Sequence, residues 1–513
     1  MERRTFLRSV AAAAAAVSTP RVGTLAGMLT PPGYRAAVHV GQVPPDVLAV
    51  TGDGREVVIR GRDIAELARS LRGRVLLAGS EGYETARLVL NPSFDRHPAL
   101  IAQVTGAADV RRAVDFARGN HGLLLAVKCG GHSFSGASTC DRGMMIDLSP
   151  FRAVQVDPTA RRAWVTGGSL LGAVDHEAMD HGLATPLGTV SHTGVGGLVT
   201  GGGFGRLARR FGLSIDNLES VQVVTADGRL LRASAGENED LFWGVRGGGG
   251  NFGVVTAFEF RLHPLERRVI AGRIRFPRSR ARESLELYAE YAPTAPDEIQ
   301  LDWGIALPPR GEEAVVGFDI CFSGRASDLE RALGPIRRLG TPMEDTLEEK
   351  DYVEVQRAGD ITDPRAQAGY LKNGFVTRIT PGLVTPIVEA LEGHPERGTG
   401  VNFVQSGGAI GRVAPEATAF PQRDAEFMML GGTGWAHGGD ADPQEHIGYM
   451  RSFWGEHLEP HTHGFYTNDM PLEAVDADVA RNYRDNLTRL VAVKNRYDPQ
   501  NLFRLNANVQ PSG

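Results

Sequence analysis

One histidine, His132, lies in a glycine turn with the sequence Lys128-Cys129-Gly130-Gly131-His132-Ser133. Glycines at positions 130, 131 and 136 allow positive φ and leave backbone N–H groups free to face phosphate oxygens. The imidazole is a nucleophile at neutral pH and can anchor an electrophilic cofactor covalently. A second glycine-dense segment, residues 188–205, again indicates backbone that approaches a ligand closely. The two segments predict a large phosphate-bearing cofactor of the flavin type; the alternative is a plain glycine turn with a hydrogen-bonded histidine.

A third glycine run, Gly248-Gly249-Gly250-Asn251-Phe252-Gly253, satisfies the G-x-G-x-x-G pattern of nicotinamide dinucleotide sites. That pattern has meaning only where a helix follows it and an acidic residue lies about 20 positions further on. Here Phe258, Phe260 and Leu262 alternate with other residues and predict a strand, and residues 267–275 contain no acid. The sequence therefore favours a flavin over a nicotinamide cofactor.

The composition narrows the class of protein. The chain has 513 residues, of which 42% are hydrophobic, and a net charge of −6. This length predicts two or three folded units, and the mixed charges favour a small organic substrate over nucleic acid or a stable membrane anchor. Cys129, Cys140 and Cys321 have neither disulfide nor metal-type spacing. His176 and His181 are five residues apart on a predicted helix and point to different faces, so no metal site is expected.

The patterns of predicted helices and strands divide the chain into two main parts. Alternating helix and strand patterns over residues 64–264 predict one α+β cofactor domain, in which a strand at 123–127 leads into the turn of His132. Longer alternating strands at 269–276, 299–307 and 314–322 predict a second, sheet-based domain over residues 265–460. Residues 461–513 become helical at 475–496, until Pro499 ends the helix.

The first 33 residues have the layout of an export leader. Arg3 and Arg4 are followed by Phe-Leu and then by an alanine-rich apolar stretch, which resembles the twin-arginine motif of bacterial export signals. That route carries folded proteins, so it suits a protein that takes up its cofactor before export. The alternative is an ordinary alanine-rich helix at a frayed terminus. The expected location is outside the bacterial cytoplasm, in the periplasm or the medium.

Four segments in order carry a resemblance to a known family, and they lie at residues 128–133, 194–205, 240–255 and 497–504. With them the chain resembles the berberine-bridge-enzyme-like FAD-linked oxidases of the vanillyl-alcohol-oxidase superfamily, from about residue 79 to residue 511. The resemblance implies an α+β fold. It consists of a PCMH-type FAD-binding domain of two α/β subdomains, to which both chain ends contribute, and a substrate domain with an antiparallel sheet flanked by helices that roofs the flavin ring.

The resemblance also assigns cofactor contacts. His132 corresponds to the histidine bonded to the flavin 8α carbon, and Val190 stands where many relatives have a second, cysteinyl attachment, which implies a single bond. Thr193 corresponds to a position that gates oxygen access in some relatives. The further expected cofactor contacts are Lys128, Gly130, Gly131, Ser133, Gly136, Thr189, Gly194, Gly197, Gly203, Val254 and Asn506.

The implied reaction is the oxidation of an alcohol or amine C–H in a sugar, alkaloid or polyketide-type substrate, with hydride transfer to flavin N5 and reoxidation by O2 to give H2O2. A dehydrogenase with another acceptor and a nonenzymatic binding protein are the alternatives. The run Gly464-Phe465-Tyr466-Thr467-Asn468-Asp469 resembles the family segment whose tyrosine lies near the flavin. We expect Tyr466 to be the general base, with Asp469 as a substitute, and Gln405 to face the ring; structural roles for Tyr466 and Gln405 are the alternatives.

For the leader we expect removal of roughly the first 20 to 35 residues on export. Replacing both Arg3→Lys and Arg4→Lys should keep the uncleaved precursor in the cytoplasm, because the twin-arginine machinery reads the arginine pair. Immunoblots of cell fractions measure this retention. Unchanged export of the double variant would exclude the twin-arginine route.

Overall fold

A computed structural model describes residues 43–309, 313–363, 366–393, 398–439, 442–470 and 476–512. The predicted leader, residues 1–33, lies outside these ranges. Within them the strands are β1 Val47–Val50, β2 Glu56–Ile59, β3 Arg74–Leu76, β4 Leu100–Gln103, β5 Leu125–Lys128, β6 Met144–Asp147, β7 Val154–Asp157, β8 Arg162–Thr166, β9 Leu183–Ala184, β10 Leu218–Val224, β11 Leu230–Ser234, β12 Val254–Arg261, β13 His263–Pro264, β14 Arg268–Pro277, β15 Ile299–Leu307, β16 Val315–Phe322, β17 Glu344–Asp345, β18 Glu348–Asp351, β19 Gln367–Val376, β20 Gly398–Gln405 and β21 Phe427–Ala436.

The α-helices of the same ranges alternate with these strands in the first half of the chain and flank the longer strands in the second. They are α1 Gly61–Ser70, α2 Tyr83–Ala86, α3 Ala107–Gly119, α4 Leu171–Met179, α5 Val195–Thr200, α6 Ala208–Phe211, α7 Glu239–Val245, α8 Ala281–Tyr291, α9 Leu329–Arg337, α10 Tyr352–Arg357, α11 Pro381–Glu389, α12 Pro443–Phe453, α13 Asp476–Tyr483 and α14 Leu487–Tyr497.

Two larger sheets form most of the first half, beside the two-stranded pairs β1-β2 and β9-β13. One has four strands in the order β3-β4-β6-β5, and β6 pairs in parallel with both β4 and β5. Its parallel strands have apolar runs because both faces are buried. The other has five antiparallel strands in the order β11-β10-β12-β8-β7. Strand β5 ends at Lys128, so the first sheet delivers the glycine turn of His132.

The second half contains one large antiparallel sheet in the order β17-β14-β16-β15-β20-β21-β19, with β18 also pairing with β14. The strands alternate with period two, as antiparallel strands with two different faces must. On β15, Leu301, Trp303 and Ile305 pack into an apolar core with α8, α9, α11 and α12. Gln300 and Asp302 lie on the opposite face, which is turned toward the first half of the chain.

The C-terminal segment is fastened to the first half by a buried ion pair. Lys494 and Asp498 are fully buried, and their side chains are 2.7 Å apart. Lys494 Nζ also donates to the carbonyls of Asn251 and Phe503, and the Asp498 carboxylate accepts from the backbone N–H groups of Leu502 and Phe503. Removing one partner of such a pair costs about 3–5 kcal/mol because an uncompensated charge stays buried. The pair thus ties residues 494–503 to the third glycine run.

The structure differs from the sequence predictions in two places. The hairpin of β1 and β2 precedes residue 64, and its Ala49 and Ile59 are buried in the same core as α1 and α3. The single helix predicted at 475–496 is divided into α13 and α14 by a turn in which Arg484 has a φ of +47°. In this turn Asn486 Nδ2 donates to the carbonyls of Pro415 and Thr418. These bonds hold the turn between α13 and α14 against the segment that connects β20 and β21.

The predicted strand after Gly253 is confirmed as β12, so the G-x-G-x-x-G run opens a strand and not a helix. No helix in the described part of the chain is both long and apolar enough to cross a membrane. Across the same residues, no cluster of three His, Cys, Asp or Glu side chains is placed to hold a metal ion. The cysteines are free thiols, and burial raises the pKa of Cys129 to about 11.

Candidate active site

A cavity of about 1030 Å³ lies between the glycine segments of the first half and the polar face of the large sheet. Its volume reaches the upper end of the range of about 300–1000 Å³ that ligand sites occupy. Most of the site residues predicted from the sequence line it, namely Gly130, Gly131, His132, Ser133, Thr189, Gly194, Gly197, Val254, Tyr466, Asp469 and Asn506.

The floor of the cavity is formed where two glycine segments cross. A Cβ atom on Gly130 would lie 2.3 Å from the backbone nitrogen of Gly194, and a Cβ atom on Gly194 would lie 2.3 Å from the nitrogen of Gly130. Real Cβ atoms do not tolerate such distances, so both positions require glycine. The crossing brings two imidazoles together, His132 from the first segment and His192 from the second.

His132 and His192 are hydrogen-bonded directly, with 2.6 Å between His132 Nε2 and His192 Nδ1. The backbone N–H of Ile361 donates to His192 Nε2 at 2.8 Å. Because a neutral imidazole has one donor and one acceptor nitrogen, His192 must carry its proton on Nδ1 and donate it to His132 Nε2. The proton of His132 is then on Nδ1, which lies 3.3 Å from the hydroxyl of Thr193.

Burial keeps both rings neutral. Burial, followed by the effect of the neighbouring His192, lowers the pKa of His132 to about 3. Burial also lowers the pKa of His192, although the carboxylate of Asp360 acts in the opposite direction. At neutral pH the pair therefore consists of two uncharged imidazoles in fixed tautomers. The sequence analysis did not single out His192, because only the crossing of the two segments brings it to His132.

Three residues predicted as cofactor contacts do not line the cavity, and these predictions are corrected. Lys128 points to the other side of its strand, where Nζ donates to the carbonyls of Ala86 and Leu88. Gly136 has a φ of +68° and is packed against the ring of Phe94, so it shapes the turn. Gly203 donates its N–H to the hydroxyl of Tyr466. All three lie behind the residues that form the floor of the cavity and support them.

Gln405 does not face the ring, contrary to the prediction. Its side chain is buried, with Oε1 accepting from the backbone N–H of Leu301 and Nε2 donating to the carbonyl of Ala292. It has the same orientation on β20 as the core residues Val401 and Phe403, because alternate residues of a strand face opposite sides. Gln405 is therefore a structural residue of the large-sheet core.

Tyr466 and Asp469 both reach the cavity from one short turn. Asn373 of β19 holds this turn, because its Oδ1 accepts from the N–H of Tyr466 at 2.6 Å and its Nδ2 donates to the carbonyl of Asp469 at 2.7 Å. The hydroxyl of Tyr466 accepts from the N–H of Gly203 at 3.0 Å and from Asn468 Nδ2 at 2.6 Å. The turn thus presents a fixed phenol and a carboxylate to the same space.

The two groups differ in their acidity. Burial, followed by the charge of Asp469, raises the pKa of Tyr466 well above its ordinary value. A tyrosine that acts as a base needs a lowered pKa, and the structure gives the opposite direction. Burial raises the pKa of Asp469 to about 6. A base is most effective when its pKa lies near the working pH, so Asp469 is the better candidate.

Other cavity residues were missed by the sequence analysis. Gln300 and Asp302 of β15, Asn402 of β20 and Arg273 of β14 line the roof, and Arg206 reaches the cavity from the segment that follows Gly205. The sequence signal for Gln300 and Asp302 was the alternation on β15, where they are interleaved with Leu301 and other apolar residues. That alternation marks a polar face, but only the tertiary structure shows what the face covers.

The floor has the features that FAD requires. The backbone N–H groups of Gly131, His132 and Ser133 donate to no acceptor among the described residues, so they are available to phosphate oxygens. Asn506 Oδ1 is buried without a hydrogen-bond partner in the described structure. A Cβ atom on Gly197 would meet no atom within 4 Å and would project into space that a ligand can fill. These residues fit a large phosphate-bearing cofactor.

Comparisons with known proteins agree with this site. A family model described as an FAD binding domain matches residues 98–234, which include both crossing glycine segments. A model described as berberine and berberine like matches residues 469–510, beginning at Asp469. The two matches thus cover the floor of the cavity and the segment that is fastened to it.

Individual relatives match over nearly their whole length. An FAD-linked oxidoreductase of Dictyostelium discoideum is 30% identical over 455 residues, which are 87% of this chain and 97% of that protein. A chitooligosaccharide oxidase of Gibberella zeae is 27% identical and covers 84% of this chain and 91% of its own. The crystal structure of 6-hydroxy-D-nicotine oxidase from Arthrobacter nicotinovorans is similar with a TM-score of 0.79 and 27% identity, covering 86% and 99% of the two chains.

The shared fold confirms the predicted α+β architecture, with a PCMH-type FAD-binding domain beside an antiparallel substrate sheet. The family models match the same glycine and C-terminal segments that carry the resemblance in the sequence. With FAD-binding residues in place and a relative of 30% identity covered almost completely, the chain belongs to the berberine-bridge-enzyme-like family of FAD-linked oxidoreductases.

Proposed function

We propose that this oxidoreductase is an oxidase that acts on an alcohol or amine group of a small organic substrate and passes the electrons to O2. The substrate carbon gives up a hydrogen with both bonding electrons, and the neighbouring O–H or N–H gives up a proton. An alcohol becomes a carbonyl compound or an amine an imine, and O2 takes up two electrons and two protons as H2O2. The names of a chitooligosaccharide oxidase and a 6-hydroxy-D-nicotine oxidase among the relatives support both substrate types.

One observation carries this proposal: a carboxylate with a pKa of about 6, Asp469, lines the same cavity as His132 and the open glycine floor. When bound, FAD supplies a two-electron acceptor that O2 can reoxidise. Asp469 removes the proton from the substrate hydroxyl or amine. Tyr466 is held by Gly203 and Asn468, and its hydroxyl orients the reacting group.

A single covalent attachment at His132 belongs to the same proposal. An imidazole that is alkylated at Nδ1 retains only an acceptor at Nε2, and His192 Nδ1–H already donates to His132 Nε2. The hydrogen bond between the two rings therefore suits the attached form of His132. Val190 lines the cavity, and the sequence resemblance aligns it with the cysteine of many relatives; a valine side chain cannot form a second bond.

Export by the twin-arginine route remains part of the proposal, with Arg3 and Arg4 as its support. These residues lie outside the described ranges. The route suits an enzyme that folds around its cofactor in the cytoplasm.

For the function, purified protein should be yellow, and a sugar, phenolic alcohol or amine should bleach the flavin absorbance under nitrogen. Admission of air should restore the absorbance with formation of about one H2O2 per flavin, because each turnover moves two electrons. Stopped-flow absorbance and a peroxide assay measure the two half-reactions. Bleaching that air does not reverse would favour a dehydrogenase with another acceptor, and protein that stays colourless would contradict the proposal.

For the attachment, the flavin should stay with acid-precipitated wild-type protein and leave the His132→Ala variant. His192→Ala should lower the covalently bound fraction, because His132 loses the donor that suits its attached form. His181→Ala is the control, since His181 is an exposed histidine outside the cavity. Mass spectrometry of flavin peptides measures the attachment. A flavin peptide linked through cysteine would overturn the single bond, and full attachment in His192→Ala would remove His192 from it.

For the base, Asp469→Asn should slow anaerobic flavin reduction by about 10²–10⁴-fold. The carboxylate acts only when ionised, so the wild-type rate should rise about tenfold per pH unit below its pKa of about 6 and level off above it. Tyr466→Phe should keep this pH midpoint, and the exposed Asp485→Asn should change neither rate nor midpoint. Stopped-flow reduction over a pH series measures both. A midpoint lost in Tyr466→Phe and kept in Asp469→Asn would assign the base to Tyr466.

A further inference from the structure

The roof of the cavity carries polar side chains that the oxidation chemistry does not use. Arg273 lies on β14, Gln300 and Asp302 lie on β15, and Asn402 lies on β20. Arg206 lines the same cavity from the segment that follows Gly205, and its positive charge acts to lower the pKa of Asp302. The cavity therefore has a polar surface on the side opposite the cofactor floor.

Two cations of this surface are free to bind a ligand. Arg275 forms an ion pair with Asp319, in which its Nη2 donates to both carboxylate oxygens at 2.8 and 2.7 Å. The guanidinium groups of Arg206 and Arg273, in contrast, neither pair with a carboxylate nor donate a hydrogen bond to any described residue. Guanidinium groups match carboxylate oxygens in geometry and charge, so two free ones in one cavity indicate an anionic ligand.

The other charged side chains of the cavity decide which cations remain unpaired. Burial alone would raise the pKa of Asp319, but Arg275, Arg273 and Arg206 hold it below the ordinary value. Burial raises the pKa of Asp302 to about 6, so Asp302 is mostly ionised at neutral pH. Among the other charged residues of the lining, Arg268 pairs with Glu349 and Lys350 with Glu348, so Arg206 and Arg273 are the cations of the described lining that have no carboxylate partner. A carboxylate presents two oxygens, which two guanidiniums can bind.

Two further atoms of the roof lack partners. Gln300 is 4% exposed, and its Oε1 accepts no hydrogen bond while its Nε2 donates to Asp302 and to the carbonyl of Gln405. Asn402 Nδ2 is buried and donates to no acceptor in the described structure. A buried acceptor without a donor is unfavourable, so a ligand that satisfies it binds favourably. A hydroxyl group both donates and accepts, so separate hydroxyl groups of a ligand suit Gln300 Oε1 and Asn402 Nδ2.

We propose that the substrate is a hydroxylated carboxylic acid, whose carboxylate is bound by Arg206 and Arg273 and whose hydroxyl groups contact Gln300 and Asn402. This inference rests on the proposed function, because it places the substrate between the roof and the cofactor floor. It adds that the substrate carries a negative charge, which is a property that the oxidation of an alcohol or amine does not require.

The test compares sugars that differ in whether they carry a carboxylate, a phosphate or neither. Flavin-loaded full-length protein is titrated under nitrogen, by calorimetry, with glucose, glucuronate and glucose 6-phosphate. We expect glucuronate to bind about 10- to 100-fold more tightly than glucose, because charge-assisted hydrogen bonds replace neutral ones. Arg206→Gln and Arg273→Gln should each remove most of this preference. Arg331→Gln, which removes the same charge from an exposed arginine paired with Asp328, should retain it.

The outcomes separate the two proposals. Equal binding of glucuronate and glucose, no measurable binding of glucuronate, or an unchanged preference in Arg206→Gln would overturn the carboxylate site. Tighter binding of glucose 6-phosphate than of glucuronate would assign the site to a phosphate and also overturn it. Flavin bleaching and peroxide formation are recorded in parallel. Selective glucuronate binding without bleaching by any substrate would contradict the oxidase and leave the anion site intact.

Discussion

At Gly130 and Gly194 two loops pass so closely that a Cβ atom on either residue would lie 2.3 Å from the backbone nitrogen of the other. No side chain can enter this contact, so its geometry is set by backbone alone. The crossing fixes the distance between His132 and His192, which lie two residues from it on their own segments. It also leaves the N–H groups of residues 131–133 facing the cavity. The histidine pair and the phosphate-binding surface thus depend on the same two glycines.

Burial shifts the pKa values of the titratable side chains of the site, and the direction of the shift differs between bases and acids for one physical reason. Removal from water disfavours the charged form of any group, so it lowers the pKa of His132 to about 3 and raises that of Asp469 to about 6. The imidazole is kept neutral, as a nucleophile must be, and the carboxylate is shifted toward neutral pH, where a base is effective. Tyr466 shows the limit of this effect, because the same burial raises its pKa beyond the range in which a phenolate forms.

Local features of the site were predictable from the sequence and spatial ones were not. The glycine turn of His132, the strand after Gly253 and the α+β division depend on φ angles and short-range periodicity, which the sequence displays directly. Lys128 and Gln405 were assigned to the wrong side because a shift of one residue in a strand reverses its orientation. His192 was missed because it meets His132 only through a contact between residues 60 positions apart.

The two faces of the large sheet differ in how well their side chains are satisfied. Along β15 the core side is built from Leu301, Trp303 and Ile305, whereas Gln300 and Asp302 lie on the opposite face and form hydrogen bonds with the backbone of Gln405 on β20. Gln300 Oε1 is left without a donor, at a cost of about 1–3 kcal/mol. The ion pair of Arg275 and Asp319 compensates two charges, but it does nothing for Gln300. The bonds to Gln405 account for Gln300 Nε2 and Asp302 but not for Gln300 Oε1, and this unsatisfied acceptor is the feature of the polar face that a ligand of the cavity would complete.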